Sequence, residues 1–118
     1  MTAAERRILG QYSLDHPRCE LHRRRCAASA DAAETHHVIG GVGGRPTEPW
    51  NLASLCLTCH RVAESDRAWY RHEISVIKYE LGCWNGKAAW LAMHGKKSAR
   101  PYDGRWDEGI SYTSKGGQ

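Results

Sequence analysis

Residues 34–64 read ETHHVIGGVGGRPTEPWNLASLCLTCHRVAE, and this stretch decides how the chain is interpreted. Thr35 to Ile39 is short and partly β-branched, which predicts a strand over 35–39. Gly40, Gly41, Gly43, Gly44 and Pro46 then make a turn region. A second strand is expected to return over 50–55. A helix is expected from residue 57, with Thr58 as its N-cap. His60 and Glu64 lie four apart and so share a face of that helix.

The chemistry-bearing residues of this stretch form two sets. Cys56-x-x-Cys59 is half of a zinc site, because thiolates at that spacing can both reach one tetrahedral ion. The other half is expected upstream, from Cys19 and Cys26. His22, which makes a Cys-x-x-His pair with Cys19, is an alternative ligand. The bland alternative for the upstream pair is two buried thiols. The second set is His36, His37, His60 and Glu64. Neighbouring strand residues point to opposite faces, so His36 and His37 are expected to have different duties unless a bulge turns both inward. Two imidazoles and a carboxylate leave coordination positions open, as a catalytic ion requires. Glu34 is a candidate for a contact to a metal-bound histidine, with a solvated strand-end carboxylate as its bland alternative.

Outward from this stretch, Thr2-Ala3-Ala4-Glu5 has capping-box spacing and predicts a helix over 3–11 with Ile8 and Leu9 inward. Asp15-His16-Pro17 is a breaker. Residues 18–33 are rich in Cys, Arg and Ala and read as a loop with one helical turn. A longer helix is expected over 66–81, where Tyr70, Ile74, Ile77 and Leu81 form an apolar stripe joined by Trp69 and Val76. Gly82 is its expected C-cap. Asn85 should cap a last helix over 86–94, with Trp90 and Leu91 inward. The expected organisation is one domain over 1–95, with a core at 19–64 and a helical extension at 65–95. Residues 96–118 are expected to be a polar, loosely ordered tail.

Length and composition bound the possibilities. The 118 residues fit one domain, and a chain of this size buries only roughly 65% of its unfolded surface. Five Cys and seven His then suggest that metal binding contributes to folding. The net charge of +4 favours a polyanionic partner without establishing one. Its basic residues cluster at Arg23, Arg24 and Arg25 and at Lys87, Lys96, Lys97 and Arg100; solvated patches are the bland reading. Arg23 to Arg25 are candidates for tracking a nucleic-acid backbone, and Arg61, beside a candidate ligand, for contacting a phosphate. The apolar runs are too short for a membrane span, and the N-terminus has no signal-like apolar core. A cytoplasmic, reducing location is expected, where clustered cysteines bind metal rather than pair. His16, His22, His72 and His94 otherwise default to structural or solvated roles, and Cys83 to a free thiol.

The order His-His-Val, Gly-rich loop, Asn-Leu-x-x-Leu-Cys-x-x-Cys-His resembles the HNH endonucleases, over roughly residues 19–64. The resemblance implies an α+β fold with a ββα-metal (His-Me finger) core beside a structural zinc site. It implies that His37 is the general base, and that Asn51 holds the hairpin and orients His37. It also implies that His36 and His60 bind the catalytic ion, with Glu64 where many members carry a third ligand. The implied ion is Mg²⁺, Mn²⁺, Ni²⁺ or Zn²⁺, and Glu64 in place of His favours the harder ones. The implied substrate is DNA, cleaved or nicked with little intrinsic sequence preference. The small size is similar to phage and prophage members, which implies a possible packaging or recombination partner. The alternative is a non-catalytic zinc module that binds nucleic acid or protein. It explains the cysteines and the charge but leaves His36, His37, Asn51 and His60 without a purpose. An RNA-directed nuclease is a further alternative.

Overall fold

The computed structural model describes residues 2–21, 31–40, 45–95 and 101–111. Its elements are α1 (Ala3–Asp15), β1 (Glu34–His37), a 3-10 turn (Pro49–Asn51), β2 (Leu52–Leu55), α2 (Leu57–Ser65), α3 (Arg67–Glu80) and α4 (Gly86–His94). The fold is α+β.

Each helix start has a side-chain cap. At α1, Thr2 Oγ1 accepts from the Glu5 amide at 3.0 Å and Glu5 Oε1 accepts from the Thr2 amide at 3.0 Å, completing the capping box. The helix runs on to Asp15, past the expected end at residue 11, because nothing before His16-Pro17 breaks it. It packs through buried Tyr12, whereas Ile8 stays 43% exposed. Thr58 is not the cap of α2. Cys56 is, and its sulfur accepts from the Cys59 amide at 3.5 Å. Asp66 caps α3, and Asn85 caps α4 as expected. Gly82 has φ +80°, which a side chain would strain, and follows the end of α3.

β1 and β2 form an antiparallel pair in which Glu34 faces Leu55 and His37 faces Leu52. Two strands alone are marginal in water. Here every residue of β2 is buried, and helices close over the pair. Asn51 ties the long connection together. Its Oδ1 accepts from the Ile39 amide at 2.7 Å, and its Nδ2 donates to Ile39 O at 2.9 Å and Pro46 O at 2.8 Å. Each such bond contributes about 1 kcal/mol, and a buried group left unpaired costs about 1–3. Asn51→Ala is therefore expected to lose about 3 kcal/mol of stability, read by urea denaturation. Loss of under 1 kcal/mol would show that the loop holds itself.

On α3 the stripe is met by Tyr70, Ile74 and Ile77, but Leu81 is 61% exposed and Lys78 is only 1% exposed. Lys78 Nζ lies 3.1 Å from Glu20 Oε1 and donates to Tyr12 Oη. Glu20 Oε2 also accepts from the Ser54 amide at 2.7 Å. One buried ion pair thus joins α1, β2, α3 and the segment before residue 22. Removing one partner of such a pair leaves a buried charge unpaired.

The expected tail does not begin at residue 96. Trp106 and Ile110 are buried in the core, alongside Trp90 and Ile74. Trp84 Nε1 donates to Trp106 O at 2.7 Å, and the Ile110 amide donates to Ser75 Oγ at 2.7 Å. Gly86 makes this packing possible, since a Cβ there would sit 2.2 Å from the Trp106 carbonyl oxygen. Apolar burial of two large side chains outweighs the polar character of the surrounding residues. Residues 96–100 and 112–118 lie outside the described residues.

Candidate metal and catalytic site

Two groups of ligand-type side chains lie near the hairpin. The first is Cys19, Cys56 and Cys59, whose sulfur atoms all lie within 4.8 Å of one another. Cys19 sits in the segment after α1, where the Glu20 amide donates to Ser54 O at 2.9 Å. Cys56 and Cys59 bracket the first turn of α2. Three thiols this close could hold a structural zinc. The expected further ligand, Cys26 or its alternative His22, lies outside the described residues, as do Arg23, Arg24 and Arg25. The backbones of Arg18 and Asp31 pair as an isolated antiparallel β-bridge, and the Ala32 amide donates to Pro17 O at 2.9 Å. These contacts hold the two ends of that segment together. Cys83 is exposed and outside the cluster.

The second group lines a cleft of about 210 Å³ between β1, α2 and α3. His36, His37, His60 and Glu64 all face it. The expectation that adjacent histidines point to opposite faces is therefore not met in its simple form. His37 is the last strand residue and the chain bends at Val38, so both rings reach the cleft with different partners.

The His36 ring lies 5.1 Å from that of His60 and 5.7 Å from that of Tyr70. Its Nδ1 is 3.1 Å from the His37 carbonyl oxygen. A carbonyl only accepts, so Nδ1 carries the proton and Nε2 carries a lone pair. That Nε2 is buried and has no hydrogen-bond partner among the described residues. Burial lowers the His36 pKa, with the nearby His60 acting in the same direction against the His37 carbonyl. The neutral, ligating form is favoured. His60 has a matching arrangement. Its Nδ1 is 2.9 Å from Glu34 Oε1, which leaves Nε2 as the lone-pair nitrogen. Glu64 Oε1 lies 3.6 Å from the same Nδ1, and its side chain is 63% exposed. Imidazole nitrogens and a carboxylate are ligand types that a divalent cation takes. His36, His60 and Glu64 are not drawn together as tightly as the three cysteines.

His37 is held from behind. Its Nε2 is 2.8 Å from Thr47 Oγ1, and Thr47 Oγ1 donates to Glu5 Oε2 at 3.3 Å. The single hydroxyl proton of Thr47 goes to Glu5, so Oγ1 accepts from His37 Nε2–H. His37 Nδ1 then carries the lone pair. Burial, reinforced by Arg45, lowers the pKa of this ring and favours its neutral, proton-accepting form.

Residues 17–66 match the family model described as HNH endonuclease. This segment resembles an HNH domain. Neither curated proteins nor solved structures give a match. That likeness implies a nucleic-acid substrate. Within the described residues, no helix is long and apolar enough to cross a membrane.

Several residues around the HNH site are not singled out by the sequence. Thr47 and Glu5 stand behind His37, and Arg67 and Arg71 of α3 line the cleft. Arg61 is exposed and is not among the lining residues. Arg67 and Arg71 are four apart and so share a face of α3, but the break at Asp66 separates them from His60 and Glu64 on α2, so only the packing of the two helices brings all four to the cleft. No local pattern links Thr47 to Glu5.

Proposed function

We propose that this protein is a metal-dependent endonuclease that hydrolyses DNA phosphodiester bonds, acting in the cleft of His36, His37 and His60. One observation carries the reading. Two adjacent imidazoles line the cleft, yet one has a buried, unpartnered Nε2 while the other has its Nε2 tied to Thr47. Such a pair is suited to different work, His36 as a ligand and His37 as a base.

His36 and His60, with Glu64, would hold the divalent ion, and Mg²⁺ or Mn²⁺ suits a set that includes a carboxylate. When bound, that ion supplies charge neutralisation for the phosphate and the leaving oxygen. Glu34 orients His60 through Nδ1. His37 accepts a proton at Nδ1 from the attacking water. Thr47 and Glu5 keep the ring in the tautomer that can do so, and the Glu5 carboxylate stabilises the imidazolium that results. Asn51 fixes the loop that begins just past His37. Cys19, Cys56 and Cys59, completed by Cys26 or His22, would bind a separate structural zinc.

Supercoiled plasmid is the direct test. With added Mg²⁺ or Mn²⁺ the zinc-loaded protein should convert it to nicked circle, with activity falling steeply as salt rises. Intact plasmid with Mg²⁺, Mn²⁺, Ni²⁺ and Zn²⁺ at every ionic strength would overturn the reading in favour of a non-catalytic zinc module. Parallel single- and double-stranded DNA and RNA substrates decide the nucleic-acid class. Thr47→Val removes the partner of His37 Nε2 without changing side-chain volume much. It should lower the rate constant roughly 2- to 10-fold, the worth of one hydrogen bond of about 0.5–1.5 kcal/mol, with zinc content unchanged. An unaltered rate would remove Thr47 from the mechanism.

A further inference from the structure

The cleft has a wall that neither the metal ligands nor the base explains. Arg67 and Arg71 sit one turn apart on α3 and both line it, facing the side that holds His36, His37 and His60. Arg71 is half-buried, and its Nε donates to the Val38 carbonyl at 3.4 Å. That bond comes from the residue next to His37, so the guanidinium is anchored beside the candidate base. Among the described residues, no carboxylate lies within ion-pair distance of Arg67 or Arg71. Glu64, the acid that also lines the cleft, has its carboxylate against His60.

Two like charges one helical turn apart repel, and partial burial adds to the cost at Arg71, while Arg67 is exposed. Both effects act on Arg71, whose pKa is lowered by burial first and by Arg67 second. An anion between them would relieve both. A guanidinium presents paired donors that match two oxygens of a phosphate. With Nε of Arg71 engaged by Val38, its two terminal nitrogens stay available for such a ligand.

We infer that Arg67 and Arg71 form a clamp for the phosphodiester backbone, holding a phosphate of the nucleic acid against the histidine side of the cleft. This inference rests on the nuclease reading for its substrate, and it assigns the binding work to α3 rather than to Arg61. The clamp is sequence-independent, since phosphate contacts position the strand without reading bases.

Binding and cleavage are measured separately. Binding is read by fluorescence anisotropy with a labelled DNA duplex, in a His37→Ala background so that no cutting occurs. Arg67→Ala and Arg71→Ala should each weaken binding about 10-fold. The double variant should lower the slope of log affinity against log salt by about 1.8, or roughly 0.9 per lost phosphate contact. Lys87→Ala, which removes an exposed charge on α4, controls for net charge and should shift the slope less. Arg71→Lys tests folding separately, because it keeps the charge while losing the planar fork; zinc content and far-UV circular dichroism check each variant. Unchanged affinity and slope in the double variant would overturn the clamp, whether or not the wild type nicks plasmid. Normal clamp behaviour in a protein that never cuts DNA would support the clamp and overturn only the nuclease reading.

Discussion

His37→Ala is expected to slow plasmid nicking by about 10²- to 10⁴-fold, the range typical of a lost general base. That corresponds to about 2.7–5.4 kcal/mol of transition-state stabilisation. The loss should fall on the rate constant, with DNA binding nearly unchanged, because the ring is assigned a proton and not a phosphate. Ion binding should also survive, since the proposed ligand nitrogens are those of His36 and His60. His36→Ala provides the contrast. It removes the buried, unpartnered Nε2 and should weaken activation by Mg²⁺ or Mn²⁺, raising the ion concentration needed for half-maximal rate. Metal titration of both variants separates the two duties. A His37→Ala protein within threefold of wild type would show that water is deprotonated elsewhere.

Cys59→Ser should abolish folding rather than merely weaken it. A structural zinc contributes about 10–16 kcal/mol of apparent folding free energy in small zinc modules, whereas a whole domain is stable by about 5–15 kcal/mol. The metal term is therefore as large as the entire margin. Position adds to the effect. Cys59 is fully buried, and Cys56 both caps α2 and belongs to the same sulfur cluster. His60 follows Cys59 directly on that helix, so loss of the cluster should also displace a proposed ligand of the second site. The expected result is a chain without bound zinc and without a cooperative thermal transition by circular dichroism. Chelator treatment of wild type should give the same outcome. Cys83→Ser, which changes an exposed thiol outside the cluster, should melt like wild type. A zinc-free Cys59→Ser protein with a wild-type melting curve would refute the structural role.

The local determinants of the fold are legible in the sequence because they act over a few residues. Thr2 and Glu5 make their capping box by themselves, and Asn85 caps α4 where its position predicts. Cys56 and Cys59 meet because two intervening residues on a helix turn place both sulfurs on one side. The error at Thr58 has a local cause too: a cysteine sulfur accepts the capping bond that a hydroxyl was expected to take. Local patterns mark the two strands and the helix around His36, His37, Asn51 and His60, while their arrangement as an α+β core is what the resemblance implied.

What remained hidden depends on distant segments meeting. Lys78 reads as a surface lysine until Glu20 and Tyr12 close on it from 58 and 66 residues away. Trp106 and Ile110 sit in a polar stretch, and only the groove beside Gly86 and Ser75 makes their burial favourable. Glu5 reaches Thr47 across 42 residues, so the support behind His37 cannot be deduced from either neighbourhood. Sequence by itself therefore determined the kinds of chemistry available and the elements that carry them, because caps, turns and ligand pairs are short-range. Tertiary packing alone decided which nitrogen of each histidine is free, which arginines face the cleft and which charge is buried, because each of these depends on a partner supplied by another part of the chain.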